Sequence, residues 1–109
     1  MSDATAATAT PPARIETYAE FWPFYLGEHS KPTTRWMHFF GTHLGVAIAI
    51  TAGMNDAWAY LPLALVASYG PAWVSHFFIE KNRPATFKYP LWSLISDFRM
   101  LGLMWLRRL

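Results

Sequence analysis

The chain has 109 residues, of which 53% are hydrophobic and 15% charged, and its net charge is +2. One domain at most fits this length, and a charged fraction well below the roughly 25% of soluble domains favours a membrane protein. The small net charge argues against nucleic acid as a partner, and the absence of cysteine excludes disulfides and thiolate ligands.

Residues 1–13 are small, polar and interrupted by proline, which predicts a disordered tail. They lack the basic and apolar regions of a signal peptide. We expect the remaining residues, 14–109, to form a single helical membrane domain. At its start, residues 15–26 predict a short amphipathic helix that is broken near Pro23.

Two uncharged apolar segments, residues 36–53 and 57–79, dominate the rest of the chain. Each is close to the roughly 20 helical residues that cross a hydrocarbon core. Only three polar or flexible residues separate them, so the two helices must be antiparallel. The predicted fold class is therefore all-α, an integral membrane helical hairpin with flanking interfacial helices. Pro71 lies inside the second segment and predicts a kink there.

Basic residues flank the hairpin on one side only. Lys31 and Arg35 precede the first segment, Lys81, Arg83 and Lys88 follow the second, and the turn between them has none. The positive-inside rule therefore places both termini in the cytoplasm and the hairpin turn outside. The alternative is a soluble hairpin buried in an oligomer, but helices that are apolar on every face fit lipid better.

The C-terminal segment, residues 90–109, has a mixed character. Asp97 and Arg99 lie in its middle, where full spanning would be costly. This favours an interfacial or shallowly re-entrant helix on the cytoplasmic side over a third span.

The histidines supply the candidate chemistry. At about 1.5 Å per residue, His38 lies roughly 25 Å and His76 roughly 31 Å from the turn of the hairpin, about one helical turn apart in height. His29 precedes the first span and can fold over the same end, whereas His43 lies deeper. Glu80 follows His76 by four residues and so shares its helix face. One region thus receives three histidines and a carboxylate.

Such a set of ligands suits iron(II) or zinc and can leave positions open for oxygen and substrate. A single buried histidine more often bonds a neighbouring carbonyl group, and we assign His43 to that role. The matching heights of His38 and His76, with Glu80 beside them, favour a metal site instead. Arg83 could bind a substrate carboxylate, and an ordinary positive-inside residue is an equal alternative.

Two stretches, FWPFYLGEHSKPTTRWMHFFGT (residues 21–42) and HFFIEKNRPATFKYPLWSLISDFRM (residues 76–100), carry a family resemblance. They resemble the short bacterial branch of the 2-hydroxy fatty acid dioxygenase family, typified by a yeast enzyme of phytosphingosine breakdown. The resemblance implies a helical membrane enzyme that uses iron(II) and molecular oxygen to shorten a 2-hydroxy fatty acid by one carbon. It also implies that His29, His38, His76 and Glu80 bind the metal.

The resulting hypothesis is an iron(II)-dependent membrane dioxygenase in which Glu80 and Arg83 take part in catalysis. Its partners would be a 2-hydroxy fatty acid, molecular oxygen and membrane lipid. The chain is shorter than the fungal enzyme, so a homo-oligomer that completes the acyl-chain site stays open. Two other functions also stay open: electron transfer through a haem held by two histidines, and a non-catalytic membrane assembly protein.

Overall fold

The computed structural model describes residues 14–109, and the tail predicted for residues 1–13 lies outside them. The described residues form helices without strands, which confirms the all-α class. The main elements are α1 (Tyr18–Glu28), α2 (Pro32–Met54), α3 (Leu61–Val74), a π-helix (Ser75–Glu80) and α4 (Pro90–Trp105). Short 3-10 turns, Trp58–Tyr60 and Ala85–Phe87, precede α3 and α4.

Helix α2 is the long element of the fold, with 23 residues. It starts with Pro32 in its first turn, where the missing N–H donor costs nothing. It ends at Met54, and the backbone N–H of the next residue, Asn55, donates to the Thr51 carbonyl. The chain then turns through Asp56 at a φ of 51°. The turn therefore lies where the sequence predicts it. Among the described helices, α2 alone is long and apolar enough to cross a membrane.

The second predicted span, residues 57–79, is not one regular α-helix. Helix α3 covers only 14 residues and passes into a π-helix of 6 residues. Pro71 lies near this junction and has no N–H to donate to the preceding turn. A helical hairpin is present, but of its two arms only the first is a helix long and apolar enough to cross a membrane.

Two glycines set the close packing of α2 against α3. A Cβ atom on Gly41 would lie 3.1 Å from the carbonyl oxygens of Ala67 and Ser68. One on Gly45 would lie 2.7 Å from the carbonyl oxygen of Ala64 and 1.8 Å from the Ser68 hydroxyl. The spacing of four residues puts both glycines on one face of α2, the arrangement by which small residues bring two helix backbones together.

Helices α1 and α4 enclose the largest buried apolar cluster. Its members are fully or almost fully buried side chains: Phe21, Tyr25, Ala85, Tyr89, Met100 and Met104. The ring of Phe21 lies 5.2 Å from that of Tyr89, and the Arg99 guanidinium lies 4.0 Å over the Trp22 ring. These contacts hold α4 against α1 beside the hairpin.

The flanking helices differ in part from the sequence-based expectation. Helix α1 runs through Pro23 without a break, so the predicted break there is wrong. The proline is exposed at the middle of the eleven-residue helix, and it removes only one intrahelical hydrogen bond there. Helix α4 begins at Pro90 as expected and ends at Trp105.

We expect Gly45→Ala to lower the free energy of unfolding by roughly 1–3 kcal/mol, because the added methyl group meets the backbone of α3. Gly102→Ala is the matched control, since nothing lies within 4 Å of a Cβ there. It should be neutral or stabilise by up to about 1 kcal/mol, because alanine favours helix. Denaturant unfolding followed by circular dichroism in detergent checks both, and equal effects would contradict the close packing at Gly45.

Candidate metal centre

Three buried histidines from separate elements meet at one end of the hairpin. His29 follows α1, His38 lies in α2, and His76 lies in the π-helix. One ring nitrogen from each lies within 4.8 Å of the others, so the group could hold a metal ion. The His29 Nε2 is 3.0 Å from the His38 Nε2 and 3.0 Å from the His76 Nε2. The structure thus brings together the three histidines that the sequence singled out.

The π-helix and its exit determine where His76 lies. Lys81 ends the π-helix with a left-handed φ of 63°, and its N–H bonds the His76 carbonyl. The next N–H, that of Asn82, bonds the same carbonyl at 2.9 Å. These two bonds fold the chain back, so that Asn82 returns to the ring of His76. Single π turns of this kind are frequent at functional sites.

Hydrogen bonds at Nδ1 define the tautomer of the first two rings. The His29 Nδ1 lies 2.7 Å from the Tyr25 carbonyl oxygen, and the His38 Nδ1 lies 3.0 Å from the Thr34 carbonyl oxygen. A carbonyl oxygen can only accept, so each Nδ1 carries the proton and donates it. The Nε2 of each neutral ring is therefore left with its lone pair.

The ring of His76 is oriented by a side chain instead. Its Nδ1 lies 2.7 Å from the Asn82 Oδ1, while the Asn82 amide nitrogen donates to the Glu28 carbonyl at 3.2 Å. The bond to Glu28 fixes which end of the amide is the oxygen, so Asn82 accepts from His76. All three Nε2 atoms are thus acceptors that face one another.

This convergence of lone pairs is what a cation would satisfy. Burial, followed by the charge of His38, lowers the pKa of His29 to about 2, so the ring stays neutral. When two neutral rings both carry their proton on Nδ1, neither carries one on Nε2. No hydrogen bond can then form between the two Nε2 atoms. Nitrogens about 2.1 Å from a common ion, at right angles to each other, would be about 3.0 Å apart. The donor set therefore fits a metal bound by three neutral imidazoles.

The same distances do not fit a haem. Two axial nitrogens on opposite sides of an iron would be roughly 4 Å apart with a porphyrin between them. The cavity that borders the three histidines has a volume of about 10 Å³, roughly the space for one water-sized molecule. The geometry thus favours a bare ion over the haem alternative.

Glu80 lies outside the group of histidines, contrary to the sequence-based prediction. Its carboxylate accepts hydrogen bonds from the Thr34 hydroxyl at 2.7 Å, the Lys31 N–H at 2.9 Å and the Ser30 hydroxyl at 3.1 Å. Burial alone would raise the pKa of Glu80, but these hydrogen bonds lower it below its ordinary value. The carboxylate therefore ties the π-helix to the start of α2 and positions His38 indirectly.

The remaining predicted residues are near the centre in sequence but are not part of it. Arg83 is exposed beyond the π-helix. His43 bonds the Phe39 carbonyl through Nδ1 at 2.7 Å and accepts from the Trp105 indole through Nε2 at 2.9 Å. Both nitrogens of His43 are thus occupied, in keeping with the carbonyl-bonded role expected for it.

Sequence reasoning missed three residues of α1 and α4 that border the centre. The Tyr25 ring stacks on His29 with centroids 4.0 Å apart, and its hydroxyl donates to Asp97. Burial raises the pKa of Asp97 to about 7, while the bond from Tyr25 opposes this rise. Ser93 and Asp97 both line the small cavity with the histidines. The four-residue spacing of Ser93 and Asp97 is the signal that could have indicated a shared helix face.

A comparison with known protein families finds a match over most of the chain. The sequence pattern of the family described as 2-hydroxy-palmitic acid dioxygenase Mpo1-like matches residues 15–109. The chain belongs to that family. The match confirms the resemblance drawn from the sequence and covers every element described above. No curated protein and no solved structure matches the chain.

Removing any one of the three histidines should remove most of the bound metal. We expect His29→Ala, His38→Ala and His76→Ala to lower the metal content of anaerobically purified protein to a small fraction, measured by plasma mass spectrometry. His43→Ala is the matched control and should retain the metal. Glu80→Gln should also retain it while lowering thermal stability. Loss of metal in His43→Ala but not in His38→Ala would contradict the assignment.

Proposed function

We propose that this protein is an iron(II)-dependent membrane dioxygenase that shortens 2-hydroxy fatty acids by one carbon. The observation that carries the proposal is the convergence of three neutral, buried imidazole nitrogens in a chain of the dioxygenase family. His29, His38 and His76 would hold the ion. A metal bound by three protein ligands keeps positions open for other molecules.

The choice of iron follows from the chemistry of oxygen. Zinc has the same preference for imidazole but no redox chemistry, whereas iron(II) with open positions is the usual centre of oxygenases that lack haem. When bound, iron(II) supplies the electrons that activate molecular oxygen. The surrounding protein orients the three rings through Tyr25, Thr34 and Asn82, and it shields the centre from bulk water.

The substrate class fits an open metal site. A 2-hydroxy carboxylate has two oxygens on adjacent carbons, which can reach one ion together. One such acid and one molecule of oxygen balance with the acid one carbon shorter, carbon dioxide and water. Arg83 is exposed and directly precedes Pro84, which lines the small cavity. Its positive charge would bind the carboxylate of the substrate.

The surface of the hairpin supports placement in a membrane. Large apolar side chains of α2 and α3 expose more than half of their surface: Phe40, Leu44, Ile50, Leu65 and Val66. Contiguous apolar surface of this extent is rare on soluble monomers. We therefore propose that α2 and the second arm of the hairpin both cross the bilayer and that the hairpin turn faces outward. The histidines then lie near the cytoplasmic side, where both termini also lie.

Cysteine labelling checks this topology. A cysteine at Asn55 or Asp56 should react with an impermeant maleimide added to intact cells, whereas one at Leu109 should react only after lysis. The native chain contains no cysteine that could give a background signal. Outside labelling of Leu109 would mean that α4 crosses the membrane, and protection of the turn would exclude a spanning hairpin.

The reaction itself has a direct test. With iron(II) and oxygen, the protein should convert 2-hydroxypalmitate to the acid one carbon shorter, and a chelator should stop the reaction. Arg83→Ala should raise KM more than it lowers kcat if Arg83 only holds the carboxylate. Oxygen uptake and mass spectrometry of the products measure both. Iron-loaded, folded protein that consumes no oxygen with any 2-hydroxy acid would overturn the proposal and favour a non-catalytic role.

A further inference from the structure

A groove of about 260 Å³ leads away from the histidines between α2, α3 and α4. It shares four residues with the small cavity at the metal centre: His38, Tyr69, Ala72 and Asp97. The groove and the centre are therefore adjoining parts of one hollow. A larger hollow of about 480 Å³ lies at the opposite end of the hairpin, around Asn55 and Tyr60, and includes none of the three histidines.

The groove changes from polar to apolar along its length. Near the centre it is bordered by His38, Thr42 and Asp97, with Leu94 and Phe98 of α4 on either side of Asp97. Toward the turn of the hairpin, beyond Ser68, it is bordered by Val46, Ala49, Ala64 and Leu65. His38 and Ala49 are eleven residues apart on α2, which corresponds to about 16 Å along the helix. Gly45 and Ala64 also border the groove, where their small size lets α2 and α3 lie close together.

One polar atom at the closed end of this hollow has no partner within the described residues. The Ser93 hydroxyl is fully buried and makes no hydrogen bond, although Ser93 lines the small cavity with the three histidines. A buried hydroxyl without a partner is destabilising, because its lost bonds to water are not replaced. Ser96, one turn farther along α4, is equally buried but shares a hydrogen bond with the Tyr18 hydroxyl at 2.9 Å. The unmet donor of Ser93 points to a polar ligand in the cavity.

We propose that the groove behind His38 and Asp97 holds the alkyl chain of the substrate, and that Ser93 hydrogen-bonds the 2-hydroxyl of its head group. This assignment rests on the proposed function for the identity of the ligand. It makes Ala49, at the far end of the groove, a determinant of chain length. It also makes Ser93 a residue that distinguishes 2-hydroxy acids from unsubstituted acids.

Photocrosslinking tests the groove without requiring turnover. The probe is a 2-hydroxy fatty acid with a diazirine at the far end of its chain, added anaerobically to the iron(II)-loaded protein in detergent. Labels should be concentrated at Val46, Ala49, Ala64 and Leu65 when peptides are sequenced by mass spectrometry. Labels concentrated around Asn55 and Tyr60, labels spread evenly over the lipid-facing surface, or no label at all would overturn the assignment.

Three variants sharpen the test. Ala49→Trp should reduce labelling by a long probe roughly tenfold, because overpacking is costly, and should leave a short probe unaffected. Ala47→Trp, on the same helix but at the other hollow, is the control and should change neither. Ser93→Ala should reduce labelling by the 2-hydroxy probe roughly fivefold and leave that of the unsubstituted probe unchanged. Equal effects on both probes would exclude a role in recognising the hydroxyl.

The outcomes separate this inference from the proposed function. Labels in the groove without any oxygen uptake would leave a fatty-acid site and remove the dioxygenase activity. Conversion of 2-hydroxypalmitate with labels elsewhere would keep the activity and remove the groove. Protein that folds as the wild type does, as shown by its circular dichroism spectrum, is required for each variant. If Ala49→Trp does not fold, Leu65→Trp at the open side of the groove replaces it, with the same expected shift toward short chains.

Discussion

The candidate centre depends on the three hydrogen bonds that hold the Nδ1 protons of its histidines. Each proton is donated to an oxygen fixed by the backbone or by an oriented amide, at 2.7 Å for His29, 3.0 Å for His38 and 2.7 Å for His76. With the protons committed there, the Nε2 lone pairs must face one another in a buried space. Burial keeps the rings neutral. The centre therefore presents three nitrogen lone pairs that can bind a metal, and it carries no charge of its own. A metal ion would accept these three lone pairs, which repel each other when no cation lies between them.

The helices bring these donors together through local features of the backbone. The small size of Gly41 and Gly45 lets α3 lie against α2. The π-helix that follows α3 then brings His76 close to His38. Glu80 then ties the end of the π-helix to the start of α2 through its hydrogen bond from Thr34. A carboxylate that the sequence favoured as a ligand thus stabilises the frame of the site. Its hydrogen-bonding capacity is used by donors at the N-terminus of α2, where negative charge also suits the helix dipole.

The centre also adjoins a gradient of polarity. On one side lie the buried polar groups of α4 and the small cavity, and on the other lies an apolar groove between the helices. An amphiphilic molecule fits such a gradient, because its head group can bind the polar groups near the centre and its alkyl chain can lie in the apolar groove. In the membrane location that we propose, the exposed apolar surface of the hairpin would make the bilayer a direct source of such molecules.

The sequence by itself determined the all-α class, the position of the hairpin turn and which three histidines lie together. The reason is that the length of the apolar segments and the rise per helical residue give the distance of each histidine from the turn. The family match over residues 15–109 confirmed the resemblance. Only the tertiary structure decided that Glu80 caps α2, that Asn82 orients His76, that α1 continues through Pro23, and that the second arm ends in a π-helix. Residue spacing on an ideal helix could not show these features. One π turn or one left-handed residue, as at Lys81, rotates every following side chain relative to the helix face that the count assumes.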